Sequence, residues 1–74
     1  MAKFYFTFGS NHLDADGNSL GNCVAVVEAD DYGSARQKMF EARGSAWSFQ
    51  YTNSEDAGVE RFGLIQLTLD EVAL

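Results

Sequence analysis

Two segments of this chain interleave aromatic and other side chains with period two. Phe4, Phe6 and Phe8 alternate with Tyr5 and Thr7, and Trp47, Phe49 and Tyr51 alternate with Ser48 and Gln50. Successive side chains of a strand point to opposite faces, so this spacing predicts two strands, each with one aromatic face buried. The pattern constrains the fold tightly and names no chemistry.

The chain of 74 residues is expected to form one domain, 1–74, with a core small enough that each large side chain matters. Cys23 is the lone cysteine, which leaves no internal disulfide and no multi-thiolate zinc site, and a reducing cytoplasm is the natural setting. No apolar run approaches the roughly 20 residues of a membrane helix or the roughly 7 to 15 of a signal-peptide core. Eleven Asp and Glu against five Lys and Arg give a formal charge of −6, and Lys3, Arg36, Lys38, Arg43 and Arg61 are scattered along the chain. Phosphate binding relies on clustered cations that release counterions, so nucleic acid is disfavoured as a partner.

Five elements are predicted. The first strand runs over 3–9 and the second over 23–29, separated by a long polar loop, 10–22. Asp31 stands where a helix N-cap belongs, and Tyr32, Ala35, Met39 and Ala42 recur at helical spacing until Gly44, so a helix is expected over 32–43. A third strand is expected over 46–52, a polar segment with one helical turn over 53–63, and a fourth strand over 64–69 with a short tail.

The order strand, strand, helix, strand, strand gives an α+β fold in two layers. The helix connection is expected to be a right-handed crossover. With the aromatic first strand central, the sheet order is 2-1-3-4, antiparallel throughout, and one helix packs on one face over Phe4, Phe6, Phe8, Trp47, Phe49, Tyr51, Ile65, Leu67, Leu69, Cys23, Ala25 and Val27. The other face is expected to stay open. Tyr5, Val24 and Val26 then form an apolar patch beside an edge formed by the second strand, a surface for a protein partner or for a homodimer. In the same topology Glu28, Asp30, Asp31, Glu55 and Asp56 gather at one end of the sheet, with Asp14, Asp16, Asp70 and Glu71 at the other. Such acidic poles offer an alternative, mimicry of DNA phosphates toward a DNA-binding protein.

The motifs of reactive chemistry are incomplete. Asp14, Asp16 and Asn18 imitate the first ligands of a calcium loop, but Ser19 and Ala25 stand where its glycine and closing glutamate belong, so no metal is expected. Ser10, His12 and Asp14 supply the residue types of a hydrolytic triad within one short loop, where convergence around a substrate is unfavourable. Cys23 lies in a core strand without a basic neighbour, which points to an inert thiol. No phosphate-binding or dinucleotide fingerprint is present, and no cofactor is expected.

The segments FTFGS at Phe6 to Ser10, DYGSARQKM at Asp31 to Met39, WSFQY at Trp47 to Tyr51 and AGVERFGL at Ala57 to Leu64 together resemble a group of small uncharacterised proteins encoded by bacteriophages and prophages of Gram-positive and actinobacterial hosts. That resemblance implies a small accessory protein in the bacterial cytoplasm, of a kind that modifies host processes or counters host defences. The expectation is a non-enzymatic module that binds a bacterial host protein. A nucleic-acid-associated accessory protein or acidic DNA mimic is the alternative, and a small hydrolase comes third.

Overall fold

Phe4, Phe6 and Phe8 all turn to one side and are buried, Phe6 completely, as their alternation requires. They belong to β1 (Ala2–Thr7) and the residue just beyond it in a computed structural model that describes residues Met1–Leu74. β2 (Cys23–Ala29) pairs antiparallel with β1 from Ala2 opposite Ala29 to Thr7 opposite Val24. On the same face as the phenylalanines, Cys23, Ala25, Val27 and Ala29 present small side chains, and α1 (Tyr32–Arg43) sets Ala35 and Met39 into that shallow surface. The helix begins where the Asp31 carboxylate accepts the Ser34 N–H at 2.7 Å. It stops at Gly44, whose φ of 64° is left-handed and whose N–H closes on the Phe40 carbonyl.

The remaining elements are β3 (Gln50–Tyr51), α2 (Ser54–Ala57), β4 (Ile65–Leu67) and α3 (Leu69–Val72). The protein is therefore α+β with a four-stranded sheet and three short helices, but the sheet is mixed and its order is β3-β1-β2-β4. This corrects the expected antiparallel order 2-1-3-4. β4 lies beside β2, parallel to it, with Cys23 opposite Ile65 and Ala25 opposite Leu67. β3 and β4 form the two edges, and β2 is central.

The source of the error is the segment between β3 and β4. A hairpin joins antiparallel neighbours with a few residues, whereas parallel strands need a crossover of about a dozen or more. Residues 52–64 have that length, and they carry the chain across the sheet on the face opposite α1. Asn53 caps α2 by accepting the Asp56 N–H at 2.7 Å, and Gly58 ends it with φ 77°. At Gly58 a Cβ would lie 2.5 Å from the Phe62 ring, so both the turn and the close approach require glycine. The crossover sets Ala57 and Val59 against Val24, with Tyr5, Tyr51 and Leu64 packed around them. The face expected to be open is covered.

A second correction concerns β3. The Ser48 N–H donates to the Thr7 carbonyl at 2.8 Å, and the Thr7 N–H donates to the Phe49 carbonyl at 3.0 Å, so two residues oppose one. Such a β-bulge inserts one residue, and one residue of slip reverses every side chain beyond it. Trp47 accordingly packs on the α1 side, but Tyr51 joins the opposite cluster, Gln50 takes the place opposite Phe6, and Phe49 is 65% exposed. Unbroken alternation had assigned Phe49 and Tyr51 to the helix-covered core. The C-terminal end also differs. Strand β4 stops at Leu67 because Thr68 and Glu71 form a reciprocal capping box that starts α3, and Val72 is fully buried against α1 and the core. β4 runs parallel to β2 toward its Val27 end, and α3 then turns the chain so that the Val72 carbonyl comes beside that of Leu13 on one shared guanidinium.

Arg43, the last residue of α1, is buried. Its Nε donates to the Ala46 carbonyl at 2.9 Å, one Nη to Val72 and the other to Leu13, both at 2.7 Å. The guanidinium also lies 5.3 Å from the centre of the Phe8 ring. Burial pulls its pKa down from the usual arginine value while the Asp14 carboxylate raises it, and a guanidinium stays charged in proteins. One side chain therefore ties the helix end, the 10–22 loop and the C-terminal segment to one another.

Two outcomes follow. Val24→Asp places an unpaired carboxylate in the second cluster at a cost of several kcal/mol, as large as the about 3–5 kcal/mol that a core of this size supplies, so circular dichroism should show no cooperative melting. Arg43→Met keeps the apolar stem but strands three carbonyls. Urea denaturation should show a loss of about 2–4 kcal/mol, against about 0.5 or less for Arg36→Met on the surface.

Candidate functional site

The patch expected on the sheet face does not survive the crossover. Val24 is completely buried, and Tyr5 and Val26 are half-buried opposite one another in the β1–β2 ladder. β2 lies inside the sheet, between β1 along its length and β4 at Cys23–Ala25, and is not an edge strand. The acidic alternative does lie at one end of the sheet, because β2 and β3 run in the same direction on either side of β1. Glu28, Asp30, Asp31, Glu55 and Asp56 are all exposed there. Two of these already have local work: Asp31 caps α1, and Asp56 donates its N–H to Asn53 Oδ1 while its carboxylate accepts from the Asn53 amide at 2.9 Å.

His12 and Asp14 are committed to backbone. His12 Nδ1 accepts the Gly9 N–H at 2.9 Å, and its ring meets Phe8 edge-on. Asp14 Oδ1 accepts the N–H groups of Asp16 and Asn18 at 2.9 and 2.8 Å, tightening a turn that Leu13 and Ser19 close by bridging. Ser10, His12 and Asp14 therefore make no hydrogen-bonded relay. Cys23 is buried, its thiol donating to Asn22 Oδ1 at 3.4 Å, and burial with the Asp14 charge pushes its pKa up. Both effects keep the sulfur from acting as a thiolate.

The surface best built to hold something lies between α1 and the start of β3. Trp47 is its foundation. Its indole N–H donates to the Gly44 carbonyl at 3.0 Å, fixing the ring, and the Phe6 ring stands perpendicular to it at 5.1 Å. Phe40 meets it at 5.8 Å and 78°, and the Arg36 guanidinium lies 4.9 Å from the Trp47 ring and 5.7 Å from the Phe40 ring. Residues 32, 36 and 40 stand on one face of α1 by helical spacing. Tyr32 leans edge-on against Phe4 at 6.1 Å, and its carbonyl accepts Gln50 Nε2 at 2.9 Å, pinning the helix to the edge strand. Gln50 Oε1 is buried without a partner, a cost of about 1–3 kcal/mol at this junction.

Between these groups runs a groove of about 380 Å³ lined by Tyr32, Arg36, Phe40, Trp47, Phe49 and Gln50 together with Ser45 and Ser48. Tyr32 and Phe40 are nearly half exposed and Phe49 more so. Aromatic rings with one arginine, held in place by packing, are the composition of interface hot spots. Sequence reasoning missed this groove because it buried Phe49 under the helix and counted Arg36 among scattered surface charges. The signal available was the spacing of Tyr32, Arg36 and Phe40 on one helical face. Comparison of the chain with protein-family models, curated proteins and solved structures returns no match. No helix is long and apolar enough to cross a membrane.

The cap carboxylates set a pH dependence. Backbone N–H groups hold the pKa of Asp14 and Asp31 below the ordinary 3.8, the Asn18 N–H contributing most at Asp14 and the Ser34 N–H at Asp31. A depressed folded-state pKa stabilises the fold above the unfolded value, and the contribution disappears as pH falls through the folded one. Thermal melts should therefore show stability falling below about pH 4, with a shallower fall in the double variant Asp14→Asn, Asp31→Asn.

Proposed function

We propose that this chain is a small non-enzymatic binding module, encoded by a bacteriophage or prophage, that engages a host protein in the bacterial cytoplasm. The origin rests on the four sequence segments that resemble phage-encoded proteins. The mode of action rests on one observation: a pre-packed aromatic groove, with Arg36 held over Trp47 and Phe40, is left uncovered in a domain whose two sheet faces are both covered. A large apolar group left facing water has a cost that a partner recovers. The His12 and Asp14 side chains of the 10–22 loop are spent on backbone hydrogen bonds, which favours binding over catalysis.

The interface assigned here differs from the Tyr5, Val24 and Val26 patch, because Val24 belongs to a core cluster. The test is affinity capture from a bacterial lysate with the parent chain and with the double variant Phe40→Ser, Phe49→Ser. Both positions are 45% or more exposed, so the variant should melt within a few degrees of the parent and lose the captured protein. Undiminished capture by the folded variant would overturn the groove as the interface and turn attention to the acidic end.

A further inference from the structure

Eleven acidic residues crowd this chain, yet none of the eight residues lining the groove is acidic, and Arg36 is its single charge. Arg36 forms neither an ion pair nor a hydrogen bond within the chain; two aromatic rings alone orient it. The buried and half-buried cations are spent: Arg43 on three carbonyls and Lys38 on the Glu28 carbonyl at 2.8 Å. A guanidinium stacked on rings keeps its donor fork free at the edge, in the plane where a carboxylate binds through two parallel N–H bonds.

Resting on the binding-module reading above, we infer that the groove docks a protein segment that presents a carboxylate beside an aromatic side chain. The carboxylate pairs with Arg36, and the ring fills the space between Tyr32, Phe40 and Phe49. Charge decides between anions. A phosphate brings close to two negative charges to a protein of net charge −6, and no second cation lines the groove to receive the extra charge. One carboxylate matches one fork. The hydroxyls of Ser45 and Ser48 at the rim suit the backbone amides on either side of such a side chain.

The probes are two capped dipeptides of nearly equal shape, acetyl-Asp-Phe-amide and acetyl-Asn-Phe-amide, titrated while the Trp47 indole and Arg36 Nε–H resonances are followed by NMR. The aspartyl peptide should shift both resonances saturably and bind about tenfold or more tightly than the asparaginyl one, since only it forms a charge-assisted pair. In Arg36→Gln the two peptides should bind alike, while the Phe49→Ser variant should weaken both. Equal binding of the two peptides to the parent chain, or shifts confined to other residues, would overturn the inference. Tighter binding of phenylacetate than of the aspartyl peptide would also overturn it and assign the groove to a free aromatic acid. Shifts of the same resonances on concentrating the protein alone would overturn it in favour of a second copy.

The two readings fail separately. Capture that requires Phe40 and Phe49, with no discrimination between the peptides, retains the binding module and rejects the carboxylate. Discrimination between the peptides, with capture indifferent to Phe40 and Phe49, retains the anion site and rejects the groove as the host-protein interface.

Discussion

A buried guanidinium that hydrogen-bonds three carbonyls and no carboxylate holds this fold together. Arg43 ends the longest of the three helices, and its planar fork reaches three carbonyls from three separate stretches of chain, Leu13, Ala46 and Val72. Desolvating a cation is costly, and here the cost is offset by carbonyl dipoles and the face of Phe8, with the Asp14 charge acting in the same direction. The arrangement suits a small domain. None of the three segments has enough apolar surface to fix itself: the 10–22 loop buries Leu20, the C-terminal helix buries Val72, and the Gly44–Trp47 turn has no buried residue beyond half-covered Ala46 and Trp47. A single donor group that all three share gives them one common geometry. That geometry extends to the groove proposed for binding, because the Ala46 carbonyl bound by Arg43 belongs to the turn that presents Trp47 there.

The crossover from β3 to β4 decides which surfaces remain for binding. By traversing the sheet on the side away from α1, residues 52–64 convert a two-layer plan into a sheet covered on both faces. Val24 moves from surface to core, and β2 from edge to centre. The exposed aromatic surface is displaced to the seam between α1 and the short β3 edge. The bulge at Ser48 and Phe49 sharpens this, since it twists the edge and turns Phe49 outward. A two-residue, bulged strand is also a poor template for edge-to-edge pairing, so the seam is open to a side-chain-mediated partner while its backbone resists aggregation.

The parts of the fold legible in the sequence are those with a local cause. β2 and α1 fall at the expected residues because alternation, the Asp31 cap and the Gly44 stop each act within a few residues. The capping box at Thr68 and Glu71 is equally local, but the apolar alternation of Leu67 and Leu69 masks it by continuing the strand pattern through it. What alternation could not show was the bulge, whose extra residue is defined only by what lies across from it at Thr7. The partner of β4 was hidden for the same reason. Its choice of β2 over β3 depends on Ala57, Val59 and Leu64 finding Val24 and Tyr51, contacts between residues far apart in the chain. The groove was invisible to sequence reasoning as a consequence, since its far wall is the side chain that the bulge reverses.

The role of Arg43 has a direct spectroscopic signature. Scalar couplings across its hydrogen bonds should appear between Nε and the Ala46 carbonyl carbon, and between the two Nη atoms and the carbonyl carbons of Val72 and Leu13. The Arg43 guanidinium protons should also exchange slowly with water while those of Arg36 and Arg61 exchange fast. An Arg43 guanidinium whose Nη protons are averaged and exchange as fast as those of Arg36, with no coupling to any of the three carbonyls, would contradict the account.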